Sequence, residues 1–159
     1  MTEEEEFKTI LEFVRKSKYS IQAKQKLFEV AYSQLKNGDV WRVIGITKDC
    51  LSDLANNKFD YKQVKPIRAH LFQRRETFKC ILEQPHMSVG KVIQFVYERD
   101  VALLAKRHEN KDDNSLVNYA PIDPNLGLFK AKQVGYTFSE KEVTHLKKLA
   151  TKKFNLIYT

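Results

Sequence analysis

Apolar residues recur at the spacing of an α-helix in two segments near the start of the chain. In the first they are Phe7, Ile10, Leu11 and Val14, and in the second they are Phe28, Ala31, Tyr32 and Leu35. Positions i, i+3, i+4 and i+7 share one helical face, so the pattern predicts a helix over about 3–16 and a second that ends at Asn37-Gly38. We expect the two helices to form a hairpin.

The next part of the chain alternates between strand and helix signals. Residues 40–46 (VWRVIGI) are apolar and β-branched, which predicts a short strand. Thr47 can cap a helix that continues through Ala55. Residues 62–70 predict an extended segment, because Pro66 lacks a backbone donor and biases the preceding residue away from helix.

Two further helices are predicted before an ambiguous apolar run. In the first, apolar residues recur at helical spacing from Leu71 onward. The second follows Ser88, a residue suited to the N-cap. Residues 101–105 (VALLA) fit either a buried strand or the start of a buried helix.

The last third predicts a loop, a helix and a closing strand. Residues 109–127 are rich in Asn, Asp, Pro and Gly, which is typical of a long surface loop. Residues 139–142 (SEKE) match a capping box at the start of a helix. Residues 154–158 (FNLIY) are apolar enough for a final strand.

Together these elements predict a helix-rich α+β fold in one domain over residues 1–159. We expect an N-terminal helical hairpin over 1–37 and an α+β core with a small sheet over 38–159. A chain of 159 residues has the usual size of one globular domain.

Charge adds the first indication of function. The chain has 28 Lys and Arg against 20 Asp and Glu, a net charge of +8, and residues 62–111 hold 11 basic against 5 acidic residues. Such an excess favours binding to a phosphate polyanion, so we expect nucleic acid as the partner, DNA rather than RNA. The predicted phosphate-binding residues are Lys65, Arg68, Arg74, Arg75, Lys106 and Arg107.

Cysteine content and apolar runs bear on the compartment. Cys50 and Cys80 are the only cysteines and show no CxxC spacing, which excludes zinc ribbons and gives no disulfide framework. No run of 18 apolar residues and no secretory signal occurs. We therefore expect a cytoplasmic protein with no membrane contact.

A local resemblance adds a catalytic hypothesis. Residues 100–111 (DVALLAKRHENK) resemble the last part of the HNH, or ββα-metal, nuclease motif, in which a polar residue begins an apolar helix that ends in His or Asn. With the upstream stretch IRAHLF, the resemblance spans residues 67–111. It implies a metal-dependent endonuclease that hydrolyses phosphodiester bonds.

The resemblance also assigns roles to individual residues. His70 is the implied general base, and His108 or Asn110 is the implied ligand of a divalent metal, Mg²⁺ or Mn²⁺. Asp100 stands where the family usually has an orienting Asn, and Ala69 replaces its first metal-binding side chain.

Two non-catalytic functions remain open. Residues 45–59 (GITKDCLSDLANNKF) resemble the first helix and turn of a helix-turn-helix regulator, which would bind DNA without cutting it. The N-terminal hairpin could instead be a protein-interaction module, with a homodimer as one outcome and Trp41, Tyr19 and Tyr32 as anchors.

Overall fold

The computed structural model describes residues 1–36, 41–111, 116, 118–130 and 135–155, with side chains as far as residue 152. In chain order the α-helices and strands are α1 (Glu3–Lys16), α2 (Ile21–Leu35), β1 (Arg42–Thr47), α3 (Lys48–Asn56), α4 (Tyr61–Val64), β2 (Ile67–His70), α5 (Arg74–Glu83), α6 (Val89–Arg99), β3 (Val101–Ala105), β4 (Tyr119–Pro121) and α7 (Glu140–Asn155). Seven helices and a four-stranded sheet in these residues confirm the predicted α+β class.

The chain divides into two compact units. Unit 1 comprises Met1–Val40 and Phe72–Asp100, and unit 2 comprises Trp41–Leu71 and Val101–Thr159. The sequence analysis places residues 72–100 in the α+β core, whereas in the structure they pack with the N-terminal hairpin.

Unit 1 is built from α1, α2, α5 and α6 around one apolar core. Phe7 of α1 meets Phe28 of α2 at a ring-centroid distance of 5.6 Å, and Phe28 meets Phe78 of α5 at 5.4 Å. Val92 of α6 is also fully buried in this cluster. The predicted helical hairpin is therefore confirmed, and the pair α5–α6 completes its core.

Local caps fix the ends of the unit 1 helices. The Thr2 amide donates to Glu5 Oε2 at 2.6 Å and the Thr2 hydroxyl accepts from the Glu5 amide, which forms a capping box. These backbone and side-chain bonds to Thr2 hold the pKa of Glu5 below its usual value. Ser88 caps α6 as predicted.

Unit 2 is built on a mixed sheet with strand order β2-β3-β1-β4. Strand β3 pairs in parallel with β1 and antiparallel with β2, while β4 pairs antiparallel with β1. All five residues of β3 are buried, which is typical of a central strand. Residues 101–105 thus form a strand rather than a helix.

Helices α3 and α7 contribute to the main core of unit 2 with strands β1 and β3. Leu51 and Leu54 of α3 and Leu146 of α7 are buried with Ile46 and Leu104 of the sheet. The predicted N-cap of α3 is confirmed, because the Thr47 hydroxyl accepts from the Cys50 amide.

Several sequence expectations for the connecting segments were wrong. Of residues 62–70, which were expected to be extended, residues 62–64 belong to the short helix α4, whereas 67–70 form strand β2 as expected. The helix expected from Leu71 begins at Arg74. The expected surface loop over 109–127 contains β4 and the buried residue Ile122.

At the C-terminus the capping box is confirmed, whereas the start of the closing strand is not. The Ser139 amide donates to Glu142 Oε2 at 2.8 Å, and the Ser139 hydroxyl accepts from the Glu142 amide. Helix α7 continues through Asn155, so residues 154 and 155 are helical. The rest of the predicted strand, residues 156–158, lies outside the described residues, as does the predicted helix end at Asn37-Gly38. Of the described helices, none combines the length and apolar character that a membrane crossing requires.

Gly45 of β1 is required by close packing inside the sheet. A Cβ atom at this position would lie 2.9 Å from both the Ala120 carbonyl oxygen and Leu103 Cδ2, and would also overlap the Tyr119 ring. We expect Gly45→Ala to lower the free energy of unfolding by about 1–3 kcal/mol, because β4 must shift to relieve the overlap. Urea denaturation measures the loss.

Gly90→Ala is the matched control for this prediction. Gly90 lies in α6, and a Cβ atom there would meet nothing within 4 Å. Alanine is favoured over glycine in helices, so we expect no loss of stability and a gain of up to about 1 kcal/mol. Equal destabilisation by both substitutions would contradict the steric explanation for Gly45.

Candidate nucleic-acid interface

The parallel strands β1 and β3 finish at the same end of the sheet in unit 2. Ile46 of β1 pairs with Leu104 of β3, and the antiparallel strand β2 begins at this end because Ile67 pairs with Ala105. In α/β sheets, this carboxyl end of parallel strands is where ligands commonly bind. The segments that leave or enter the sheet here carry Lys48, Lys65, Lys106, Arg107 and Lys111. We call these five residues the basic end.

A buried carboxylate organises the basic end. Glu109 is only 3% exposed, and its Oε2 accepts from the Thr47 hydroxyl at 2.8 Å and from the Lys106 amide at 2.7 Å. Since Thr47 ends β1 and Lys106 follows β3, Glu109 ties the ends of the two strands together. Burying a carboxylate is costly unless hydrogen bonds compensate it, and these two bonds do so.

Lys106 is held at the basic end by a second acidic residue. Its Nζ lies 2.8 Å from Asp53 Oδ2 of α3, and this hydrogen bond raises the pKa of Lys106. The pair neutralises one positive charge of the basic end. Arg107, Lys111 and Lys65 have exposed side chains.

The Cys50 thiol lies beside this network and is unreactive. Cys50 is fully buried, and its burial raises the pKa of the thiol to about 12, with the Glu109 charge adding to the effect. A thiol with this pKa stays protonated at neutral pH and is a poor nucleophile.

A second buried carboxylate organises the segment before α7. Glu142 accepts from the Phe129 amide at 2.6 Å, from the Tyr136 hydroxyl at 2.7 Å and from the Ser139 amide. Burial, reinforced by the bond to Glu142, raises the pKa of Tyr136. The Phe129 carbonyl in turn accepts from Nε and Nη2 of Arg68.

Arg68 is therefore used inside unit 2. Its guanidinium bonds the Phe129 carbonyl and lies 5.6 Å from the centre of the Tyr136 ring. Arg68 is one of the predicted phosphate-binding residues, but its contacts connect β2 to the segment before α7.

Helix α7 presents a second group of positive charges. Leu146 and Ala150 face the core, whereas the exposed positions of the helix include Lys141, Lys147, Lys148 and Lys152. Lys141, Lys148 and Lys152 lie within about 40° of one another around the helix axis and span about 16 Å along it. Among the described residues, no acidic side chain pairs with these lysines.

The residues assigned by the nuclease resemblance do not come together. His70 of β2 pairs with Ala102 near the start of β3. Ala105 is at the other end of this strand, and His108 is three residues beyond it. Three residues of strand alone span about 10 Å. The HNH motif requires a helix over this stretch, whereas the structure has the strand β3 there. The geometry therefore does not fit a metal site shared by His70 and His108.

The remaining predicted site residues divide between the two units. Asn110 lies beside His108 in unit 2, in the 3-10 turn Glu109–Lys111. Asp100 belongs to unit 1, where its Oδ1 lies 3.5 Å from Nη2 of Arg74, and Arg75 is an exposed residue of the same unit. Within the described part of the chain, no group of three or more His, Cys, Asp or Glu side chains is arranged to hold a metal ion.

Sequence reasoning missed three features of this interface. It did not identify Glu109 or Glu142 as buried, and it did not include the α7 lysines among the phosphate-binding residues. The SEKE capping box indicated that Glu142 is ordered, and Lys141, Lys148 and Lys152 already fall on one face of the predicted helix. The link that Glu109 makes between the two strands has no local signal, because Thr47 is 62 residues away and only the Lys106 amide is near in sequence.

The role of Glu109 can be tested by two substitutions. Glu109→Ala leaves the Thr47 hydroxyl and the Lys106 amide without their acceptor, so we expect the free energy of unfolding to fall by about 1–3 kcal/mol. Glu109→Gln keeps a carbonyl oxygen that can accept both bonds, and a clearly smaller loss is expected. Urea denaturation of both variants measures the difference, and equal losses would contradict the hydrogen-bond account.

Comparison with models of protein families, with curated proteins and with solved structures finds no match to this chain. Its function must therefore be inferred from the charges and contacts of its own residues.

Proposed function

We propose that unit 2 binds nucleic acid through the phosphate backbone, with duplex DNA as the preferred form. The partition of charge between the units carries this proposal. Unit 2 has 16 Lys and Arg against 9 Asp and Glu, a net charge of +7, while unit 1 has 12 against 11, a net charge of +1. Nearly all of the excess positive charge of the chain thus belongs to unit 2.

The acidic residues of unit 2 leave much of this charge uncompensated. Glu109 and Glu142 are buried and bonded to amides and hydroxyls, and Asp53 pairs with Lys106. Glu109 and Glu142 therefore act from inside the unit. Among the described residues, no ion pair engages the exposed side chains of Lys65, Arg107 and Lys111, which can attract phosphates. The same attraction increases the rate of association with a polyanion.

The basic end and α7 supply two kinds of phosphate contact. Arg107 can donate two parallel bonds to one phosphate, and Lys65 and Lys111 can each act as a point charge. The lysines of α7 extend the positive surface along a helix face. Duplex DNA has twice the phosphate charge per unit length of a single strand, so each contact releases more counterions.

The proposal is confined to binding. The nuclease resemblance needs His70 and His108 at one metal, whereas His70 is paired with Ala102 and His108 follows the opposite end of β3. The helix-turn-helix alternative needs a recognition helix after α3, either directly or from Leu71. Directly after α3 the structure has the four-residue helix α4 and then β2, and the later helix α5 belongs to unit 1.

Removing two charges from the basic end tests the proposed location. The variant Lys65→Asn/Arg107→Ala is suitable, because Lys65 has φ +50° and Asn tolerates this left-handed conformation. We expect weaker binding to a short DNA duplex, and the slope of log K against log salt should fall by about 2. Fluorescence anisotropy at several salt concentrations measures both quantities.

The control removes the same charge from unit 1. In Arg75→Ala/Lys91→Ala, two exposed basic residues are replaced, so the net charge of the chain also falls by two. We expect this variant to keep most of the wild-type affinity and its salt slope. Equal weakening by the two variants would contradict the assignment to the basic end, and absence of wild-type binding at low salt would overturn the proposed function.

His145 provides a separate test for α7. Burial and the neighbouring charges of Lys148 and Lys152 lower its pKa below the usual value. A phosphate backbone against α7 offsets the lysine charges, so the pKa of His145 should rise when DNA binds. NMR titration of the imidazole with and without duplex DNA measures the shift. An unchanged pKa in a saturated complex would exclude α7 from the interface.

A further inference from the structure

The outer face of α1 carries a pattern of charge that is complementary to itself. Glu6, Thr9, Phe13 and Lys16 follow at intervals of three, four and three residues, and all four are exposed. At 100° per residue they fall within an arc of about 80° around the helix axis. The stripe therefore has an acid at one end, a base at the other and an aromatic ring between them.

The centre of this stripe is apolar and uncovered. Phe13 is 51% exposed and Tyr19, which follows α1, is 57% exposed. Their ring centroids are 5.9 Å apart, so the two rings form one aromatic surface instead of two isolated residues. Such a surface beside charged residues is typical of a protein–protein contact.

Antiparallel pairing of two copies of α1 satisfies every position of the stripe. With a two-fold axis beside residue 11, Glu6 faces the partner's Lys16, and Lys16 faces the partner's Glu6. Thr9 then faces the partner's Phe13. A two-fold interface presents the same surface twice, and the stripe meets this requirement because its acid and base are equidistant from residue 11.

The ends of α1 reinforce this orientation. On the side of the stripe, the first turn ends in Glu6 and the last turn ends in Lys16, while Arg15 donates to the Gln84 and Met87 carbonyls of its own chain. Antiparallel helices place the acidic start of each beside the basic end of the other. Parallel pairing would instead place like charges side by side.

We propose that the chain forms a two-fold homodimer through this face of α1, with Glu6 and Lys16 paired across the interface and Phe13 at its centre. The inference goes beyond the proposed binding of nucleic acid and does not depend on it. The dimer presents two copies of unit 2, so it doubles the number of phosphate-binding surfaces in one particle.

Single charge reversals should break the dimer. Glu6→Lys places a second positive charge opposite the partner's Lys16, and Lys16→Glu places a second negative charge opposite the partner's Glu6. Each variant has two repulsive pairs across the two-fold axis, so we expect self-association to weaken by about tenfold or more. Sedimentation equilibrium of the full chain, without nucleic acid and at protein concentrations up to roughly 1 mM, measures the dissociation constant.

Mixing the two variants should restore association. A Glu6→Lys chain and a Lys16→Glu chain have opposite charges at both pairs, so the heterodimer should form more readily than either variant associates with itself. The double variant Glu6→Lys/Lys16→Glu should also self-associate as the wild type does. A monomeric wild-type chain over the whole concentration range, or failure of the mixture to associate, would overturn the proposal.

Glu4→Lys is the matched control. Glu4 lies in the same acidic first turn as Glu6 but about 200° around the helix, away from the stripe. The Glu4→Lys substitution changes the charge by the same amount as Glu6→Lys and removes the same kind of helix-dipole interaction. Circular dichroism should therefore show equal helix content for the two variants. We expect Glu4→Lys to dimerise normally. Equal loss of dimerisation in both variants would contradict the stripe.

Discussion

The hydrogen bonds of the buried Glu109 carboxylate hold the basic end of unit 2 together. Its Oε2 bonds the hydroxyl of Thr47 at the end of β1 and the amide of Lys106 after β3. The same Thr47 hydroxyl caps α3, which in turn places Asp53 within reach of Lys106. One carboxylate therefore couples two strand ends, a helix start and the turn that carries Arg107.

Glu142 has an equivalent role at the start of α7. It bonds the Phe129 amide while Arg68 bonds the Phe129 carbonyl, so the two charged side chains hold one residue from both sides. Both buried acids are satisfied by neutral donors of the protein. As a result, two buried acids stabilise unit 2 from inside, while Lys65, Arg107, Lys111 and the lysines of α7 are exposed at its surface.

The features that local sequence determines were predictable, and those that depend on distant pairing were not. The Thr47 cap and the Ser139 capping box need only residues three positions apart, and both are confirmed. Strand β3 is a strand because β1 and β2 pair with it on both sides, which its own apolar sequence does not reveal. Likewise one of the two hydrogen bonds of Glu109 joins it to a residue 62 positions earlier.

The candidate site could likewise be predicted from the sequence only in part. Residues 62–111 are basic in sequence, but residues 72–100 of this range belong to unit 1, so the predicted phosphate-binding residues divide between the units. Lys65, Lys106 and Arg107 remain together because strand register brings the start of β2 level with the end of β3. Arg68 lies between them in sequence, yet its guanidinium is used within the fold.

The central claim is that nucleic acid contacts unit 2, and amide chemical-shift mapping tests it most directly. The wild-type chain, labelled with ¹⁵N, is titrated with a short DNA duplex at low salt. The account predicts that the largest shifts occur in Lys65, in Lys106–Lys111 and along the exposed face of α7. Shifts confined to unit 1 would contradict it. So would the absence of shifts at a DNA concentration about tenfold above a roughly micromolar Kd.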